Sequence, residues 1–253
     1  MDLDLRGRRA LVTGASRGIG KAIAATLARE GCELILVARD AAALEAVADP
    51  IRAAGGKADT VSADLSIHSE IERLAARAGT IEILINNAGA IPGGTLFEID
   101  DIRLREAWNL KLFGYISMIR AFYPAMRARG GVIVNVIGAA GEAPTAGYFA
   151  GAVANAGLMA FTRAIAKDAW RDGIRVVAVN PGPVATDRIE ALLRTRAERE
   201  LGDPARWEEL MSEMPFGRAA APQEVADAVV FLASPRSAYT NGALLTIAGK
   251  PPA

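Results

Sequence analysis

Residues 9–31 read RALVTGASRGIGKAIAATLAREG, and this stretch decides the fold. RALVTG (9–14) is a short apolar run of the kind that forms a buried strand, and GIGKAIAATLAREG (18–31) has helical spacing that Gly31 ends. Between them, TGASRGIG (13–20) sets Gly14, Gly18 and Gly20 in a Gly-x-x-x-Gly-x-Gly turn. Glycine lets such a turn bend tightly and approach a ligand, and the helix that follows presents free N–H groups and a positive dipole end to an anion. The same letters also spell Gly14-Ala15-Ser16-Arg17-Gly18, the Gly-x-Ser-x-Gly of a hydrolase nucleophile elbow. That reading needs an acid and then a histidine later in the chain. The lone histidine, His68, comes far too early and reads as a surface residue at a helix start.

The same alternation continues along the chain. ELILVAR (33–39), KADTVSAD (57–64), IEILINNAG (81–89), GVIVNVIG (131–138), GIRVVAVNPG (173–182) and ALLTIAG (243–249) read as strands. Helical patterns lie between them, including a long fourth helix over roughly 101–129, a fifth to about Trp170, and QEVADAVVFLAS (223–234). Continuous Val/Ile/Leu strands separated by helices predict an α/β fold: a doubly wound, Rossmann-like parallel sheet of about seven strands with helices on both faces. Without repeat, low-complexity tract or linker, residues 1–253 read as a single domain, and 185–222 as a more polar segment within it.

Composition narrows the function. Lys plus Arg equals Asp plus Glu at 29 each, so no net field draws the chain to nucleic acid or a membrane. The N-terminus is too polar for a signal peptide, and no apolar run of about 18 residues is free of charge. The single cysteine, Cys32, precludes an internal disulfide, reads as core, and fits a reducing cytoplasm. A His-based metal cluster is excluded, and no metal is expected.

TGASRGIG, Asp64 after the third strand, NNAG (86–89) after the fourth and NPGPVATD (180–187) after the sixth occur in the order found in the short-chain dehydrogenase/reductase family, which the chain resembles over nearly its whole length. The resemblance implies a nicotinamide cofactor, with Gly14, Ser16, Arg17, Gly18, Ile19 and Gly20 around the phosphates. Asp64 and Leu65 would meet the adenine, and Asn87, Ala88 and Gly89 the adenosine ribose. Pro181, Gly182, Val184 and Thr186 would lie along the nicotinamide end. For NNAG, a strand-end turn that only stabilises the sheet is the competing reading. Cofactor choice is a question of charge. The second strand ends Val37-Ala38-Arg39, with no acid until Asp40, so Arg39 and Arg17 could pair with a 2′-phosphate; NADP(H) is favoured over NAD(H).

The resemblance breaks at the chemistry. The family's relay uses a tyrosine, a lysine, a serine and an asparagine; a phenol, whose ordinary pKa is about 10, needs help to exchange a proton near neutral pH. Counting back 30 residues from Pro181 puts the tyrosine position at Gly151 and hence the lysine position at Asn155. The serine position, 13 residues before Gly151, is Gly138, and the asparagine position, 13 before Pro124, is Lys111. All are replaced, yet asparagine and lysine have traded places. Lys111 could therefore enter the site from the fourth helix and be oriented by Asn155; alternatively Lys111 is exposed and Asn155 merely packs. For the proton donor, Tyr148 stands three residues before Gly151, which on a helix is about 60° round and about 4.5 Å toward the N-terminus, with the side chain leaning further away. It reaches the site only if EAPTAG (142–147) bends the chain inward; otherwise it is a buried aromatic at the sheet edge. Glu142 is a weaker acid candidate. The C-terminal motif is IAGK here, where most of the family has Val-Asp-Gly-Gly, which puts a C-terminal contact in doubt.

By the same resemblance 185–222 forms a substrate lid. Its Arg188, Arg194, Arg196 and Arg199 could attract a carboxylate or a phosphorylated carrier, or could pair with the intervening glutamates. The family also implies a homotetramer or homodimer packed through the fourth and fifth helices, and a small-molecule substrate. Three functions stay open: an oxidoreductase with a rearranged site, a lyase or isomerase using Lys111, and a nucleotide-binding protein without catalysis.

Overall fold

The computed structural model describes residues 2–250. Seven parallel strands form one sheet: β1 (Arg9–Thr13), β2 (Glu33–Ala38), β3 (Lys57–Ser62), β4 (Ile83–Asn86), β5 (Gly131–Val136), β6 (Ile174–Pro181) and β7 (Leu244–Ile247). Their order is β3-β2-β1-β4-β5-β6-β7, the doubly wound α/β sheet that the sequence pattern predicts. The helices are α1 (Gly18–Arg29), α2 (Ala41–Ala53), α3 (His68–Ala78), α4 (Asp101–Trp108), α5 (Gly114–Arg127), α6 (Phe149–Ala169), α7 (Asp187–Leu201) and α8 (Pro222–Ala233).

Strand periodicity explains why both faces are covered. In β1, Ala10 and Val12 join one core cluster with Ile23 and Leu27 of α1 and Val225 and Val229 of α8. Leu11, between them, belongs to the opposite cluster with Ile71 and Leu74 of α3 and Met118 and Phe122 of α5. The same division recurs at Leu34 and Leu36 against Ile35 and Val37, and at Val132 and Val134 against Ile133. Side chains that alternate at a period of two, apolar on both sides, require a helical layer on each face. Cys32 lies in the first cluster, where burial pushes its thiol up to about 12, so it is a core residue and not a reactive one. His68 is the first residue of α3 and is exposed beside Glu72.

The strand order reverses at β1, with β2 and β3 added on one side and β4 on the other, so the connections leaving the carboxyl ends of β1 and β4 diverge and leave a crevice, where open α/β sheets place ligands. The helix expected over 101–129 is interrupted there. Asn109–Phe113 forms a π-helical turn between α4 and α5, and Lys111 is its middle residue. Such turns re-aim side chains and are frequent at functional sites. Phe149–Asp172 meets the length and mean-hydropathy test for a membrane-crossing helix, but half of that window is buried, and Leu158, Met159 and Ala166 of α6 pack into the core.

Candidate active site

The glycine turn is shaped for close approach. Gly14 and Gly18 have φ of 65° and 54°, and a Cβ at Gly20 would strike the carbonyl oxygen of Gly14. Arg17, at the N-cap of α1, makes no side-chain capping bond, so the first-turn N–H groups have no side-chain partner at that position. Ser16 and Ile19 are half-buried, and Arg17 is exposed. Across the crevice, the methyl of Thr186 stands 3.2 Å from where a Gly18 side chain would begin. These are the features of an anion cradle, and they fit a dinucleotide pyrophosphate.

Several residues expected to meet the cofactor have side chains that are buried or engaged within the protein. Leu65 is 4% exposed and points into the core beneath the crevice. Asn87 donates its amide to the carbonyls of Thr13 and Gly14, at 3.0 and 3.2 Å, while the Thr13 hydroxyl accepts from the backbone of Asn87 and Ala88. The Asn87 side chain therefore ties the end of β4 to the glycine turn. Pro181 and Val184 are buried, and a Cβ at Gly182 would come within 2.9 Å of the Ala248 Cα. Asp64 accepts from the backbone and hydroxyl of Ser66, which hold its carboxyl below the usual range against the opposing effect of burial. Arg39 is 66% exposed and reaches only to 3.9 Å from Asp64, while the Asp40 carboxylate caps α2 through Ala43. The acid nearest the end of β2 is thus committed to the helix N-terminus.

Lys111 is 7% exposed, not a surface residue. Its Nζ donates to the Tyr115 hydroxyl at 2.8 Å and to the Val136 carbonyl at 2.7 Å, and the Tyr115 hydroxyl donates to the same carbonyl at 2.9 Å. Its stem lies against Gly89, where a Cβ would come within 2.8 Å of Cδ. Burial, with a smaller contribution from the positive charge of Arg188, brings the amine down to about 7. Burial also pushes the Tyr115 phenol well above its ordinary value, so that group stays neutral. The expectation that Asn155 orients Lys111 is corrected: Tyr115 and Val136 hold the amine. The π-helical turn carries Lys111 toward the end of β5. Tyr115 was missed in the sequence, although its place four residues after a helical lysine was the available signal.

Asn155 instead faces Gly138. A Cβ at Gly138, whose φ of 145° favours glycine, would lie 2.7 Å from Asn155 Nδ2. The amide thus fills the space that the family's serine would enter, and among the described residues its side chain makes no hydrogen bond, though Asn155 is only 4% exposed.

Tyr148 resolves in the same way. The expectation that helix geometry leans it away is corrected, because Tyr148 is not helical: at φ −144° and ψ 33° it precedes α6. Its ring folds over Gly151, and a Cβ there would run into Cε1 and Cζ. The ring therefore fills the space where a side chain at position 151 would begin. Its oxygen accepts from Arg188 Nη2 at 2.9 Å, and the same nitrogen donates to the Ile91 carbonyl at 2.7 Å. Glu142 is engaged elsewhere, accepting from Asn180 at 2.6 Å and from the Thr246 hydroxyl, which fixes β6 and β7 behind the site.

The anion cradle and the switch-point crevice agree with sequence comparison, where the short chain dehydrogenase model matches residues 8–197. The chain belongs to the short-chain dehydrogenase family. It is 37% identical to the 3-oxoacyl-(acyl-carrier-protein) reductase of Pseudomonas aeruginosa and 30% identical to the 7alpha-hydroxysteroid dehydrogenase of Escherichia coli, covering 98% of this chain in each case and 98% and 95% of those proteins. Among solved structures, the L-sorbose reductase of Gluconobacter frateurii complexed with NADPH and L-sorbose superposes with a TM-score of 0.90 at 30% identity, over 98% of both chains. These relatives are oxidoreductases, and the solved relatives differ in cofactor, since the 7alpha-hydroxysteroid dehydrogenase structure carries NADH.

Proposed function

We propose that the protein is an NADP(H)-preferring oxidoreductase that interconverts a small carbonyl compound and its alcohol through Tyr148, Lys111 and Asn155. The observation that supports this reading is the Tyr148 ring lying over Gly151, against the place where the family's tyrosine side chain would begin. A bound nicotinamide supplies or accepts the hydride. Tyr148 gives its proton to the carbonyl oxygen during reduction, and the Arg188 guanidinium, donating to the phenol oxygen, offsets the charge that develops there. Asn155 offers its unengaged amide to orient the carbonyl. Lys111, which changes charge near neutral pH, returns a proton to the site. Segment 185–222 acts as the lid, with Thr186 closing over the glycine turn. The test is loss of NADPH absorbance with a panel of aldehydes and ketones; binding of NADPH without turnover of any of them would favour the non-catalytic reading. A buried amine ionising near 7 also suits an imine-forming lyase or isomerase. Borohydride trapping of a ketone on Lys111, read by mass, separates that reading.

Cofactor preference follows from Arg39, whose guanidinium is exposed with only a long contact to Asp64. Arg39→Asp is expected to weaken NADPH by about 10- to 100-fold and leave NADH nearly unchanged, by fluorescence titration. Equal weakening of both would refute the 2′-phosphate assignment.

Association as a homodimer or homotetramer through α4, α5 and α6 fits the exposed Ile102 of α4, Phe113 of the π-helical turn that leads into α5, and Val153 of α6. Phe113→Glu is expected to shift the protein toward monomer in sedimentation velocity; an unchanged profile places the interface elsewhere.

A further inference from the structure

The segment 185–222 carries six arginines, and five of them (Arg194, Arg196, Arg199, Arg206 and Arg218) each lie within 3.3 Å of a glutamate. Those five form the ion-paired surface that the sequence allowed as one reading of the segment. Arg188 is different. Among the described residues no carboxylate pairs with it, and its only acceptors are the neutral Ile91 carbonyl and the Tyr148 hydroxyl. It also stands in the first turn of α7, where the helix dipole disfavours a cation. Its charge reaches Lys111 and adds to the cost of protonating that buried amine. Among the described residues, two basic groups thus stand at the site with no carboxylate paired to either, although Asp187 and Glu190 share the first turn of α7.

The geometry shows how an anion would fit. Both of Arg188's hydrogen bonds leave from Nη2, so Nε and Nη1 remain without protein acceptors among the described residues. A guanidinium has five N–H donors in a fixed fork. It can keep Nη2 on the phenol oxygen of Tyr148 while its other donors take a carboxylate. A carboxylate held there lies within one guanidinium's breadth of the proton donor, which suits a carbonyl one or two carbons away.

We propose that Arg188 recognises the carboxylate of the substrate, and that the substrates are short oxo acids and the hydroxy acids they yield. This rests on Tyr148 being the proton donor of a carbonyl reduction. In that reduction hydride from NADPH forms the new C–H bond, the carbonyl π bond opens, and its oxygen takes the Tyr148 proton. NADP and the hydroxy acid result, and the phenolate is reprotonated from Lys111 or water.

The test uses the NADPH-bound protein with acetoacetate and 2-oxobutyrate, each beside its methyl ester. NADPH consumption gives turnover, and isothermal titration gives binding. The acids are expected to show KM and Kd about 10- to 100-fold below the esters. Arg188→Gln should abolish that preference with the NADPH Kd unchanged, Arg188→Lys should retain part of it, and Arg206→Gln should leave it intact. A wild type without preference for the acids, or binding neither acid, overturns the proposal, as does an Arg188→Gln variant that still prefers them. Weakened NADPH binding in Arg188→Gln also overturns it, since the guanidinium would then serve the cofactor. Esters reduced as well as acids defeat the proposal and leave the oxidoreductase reading standing. Arg188-dependent binding of acids without turnover does the reverse, leaving carboxylate recognition and removing the reduction.

Discussion

Tyr148→Phe is expected to lower kcat by about 100- to 10,000-fold, the usual contribution of a positioned acid, with NADPH affinity unchanged. The substitution removes one oxygen and leaves the ring over Gly151, so packing with Ile91, Ile99 and Ala150 survives. The loss should fall on kcat, because proton transfer is realised only in the transition state. A second variant tests the arrangement itself. Gly151→Ala places a methyl where the Tyr148 ring lies, so the ring must leave, and activity should fall although the hydroxyl is still present in the chain. The double change Gly151→Tyr with Tyr148→Gly returns the phenol to the family's position and is expected to recover part of what Gly151→Ala loses. A Tyr148→Phe enzyme that keeps more than about a tenth of wild-type kcat would sink the relay described above.

The sheet was legible in the sequence because each strand carries its own evidence: apolar runs such as Leu34–Val37 have no polar face to offer solvent, and the glycine turn marks where the first strand ends. Positions in the site could likewise be counted from Pro181 and Pro124. What counting did not give was where side chains point. Helix geometry turned Tyr148 away because it was treated as helical, and the structure leaves it one residue outside α6, free to fold back. Lys111 was expected beside Asn155, but it lies in a π-helical turn and its amine meets Tyr115 and the end of β5. Gly138 and Gly151 read as losses when each is taken alone. With Asn155 against one and Tyr148 over the other, each glycine leaves space that a neighbouring side chain fills. Such pairings depend on a bend in the backbone before α6 and on a contact between β5's end and α6, neither of which periodicity encodes.

Lys111→Met should abolish most activity while making the protein more stable at neutral pH. The amine is buried, with desolvation bringing it from 10.5 to about 7. Folding therefore releases a proton between about pH 7 and about pH 10, and the unfolded chain binds more protons over that window. Stability tied to this group is present above its unfolded pKa and is lost as pH falls through about 7. The whole shift corresponds to a cost of about 5 kcal/mol. Against it stand two hydrogen bonds from Nζ, whose loss is softened because Tyr115 already donates to Val136. Methionine keeps the apolar stem against Gly89 and removes the charge, so a net gain of about 2 to 4 kcal/mol is expected at pH 7. Urea unfolding of both proteins across the pH range should show the gap at its full width at and below about pH 7 and closing toward pH 10. The wild-type rate should change near pH 7 as this amine titrates, and that inflection should be absent from any residual activity of Lys111→Met. Equal stability of the two proteins at every pH would mean that the amine is not held desolvated, and with that its part in moving protons would fall.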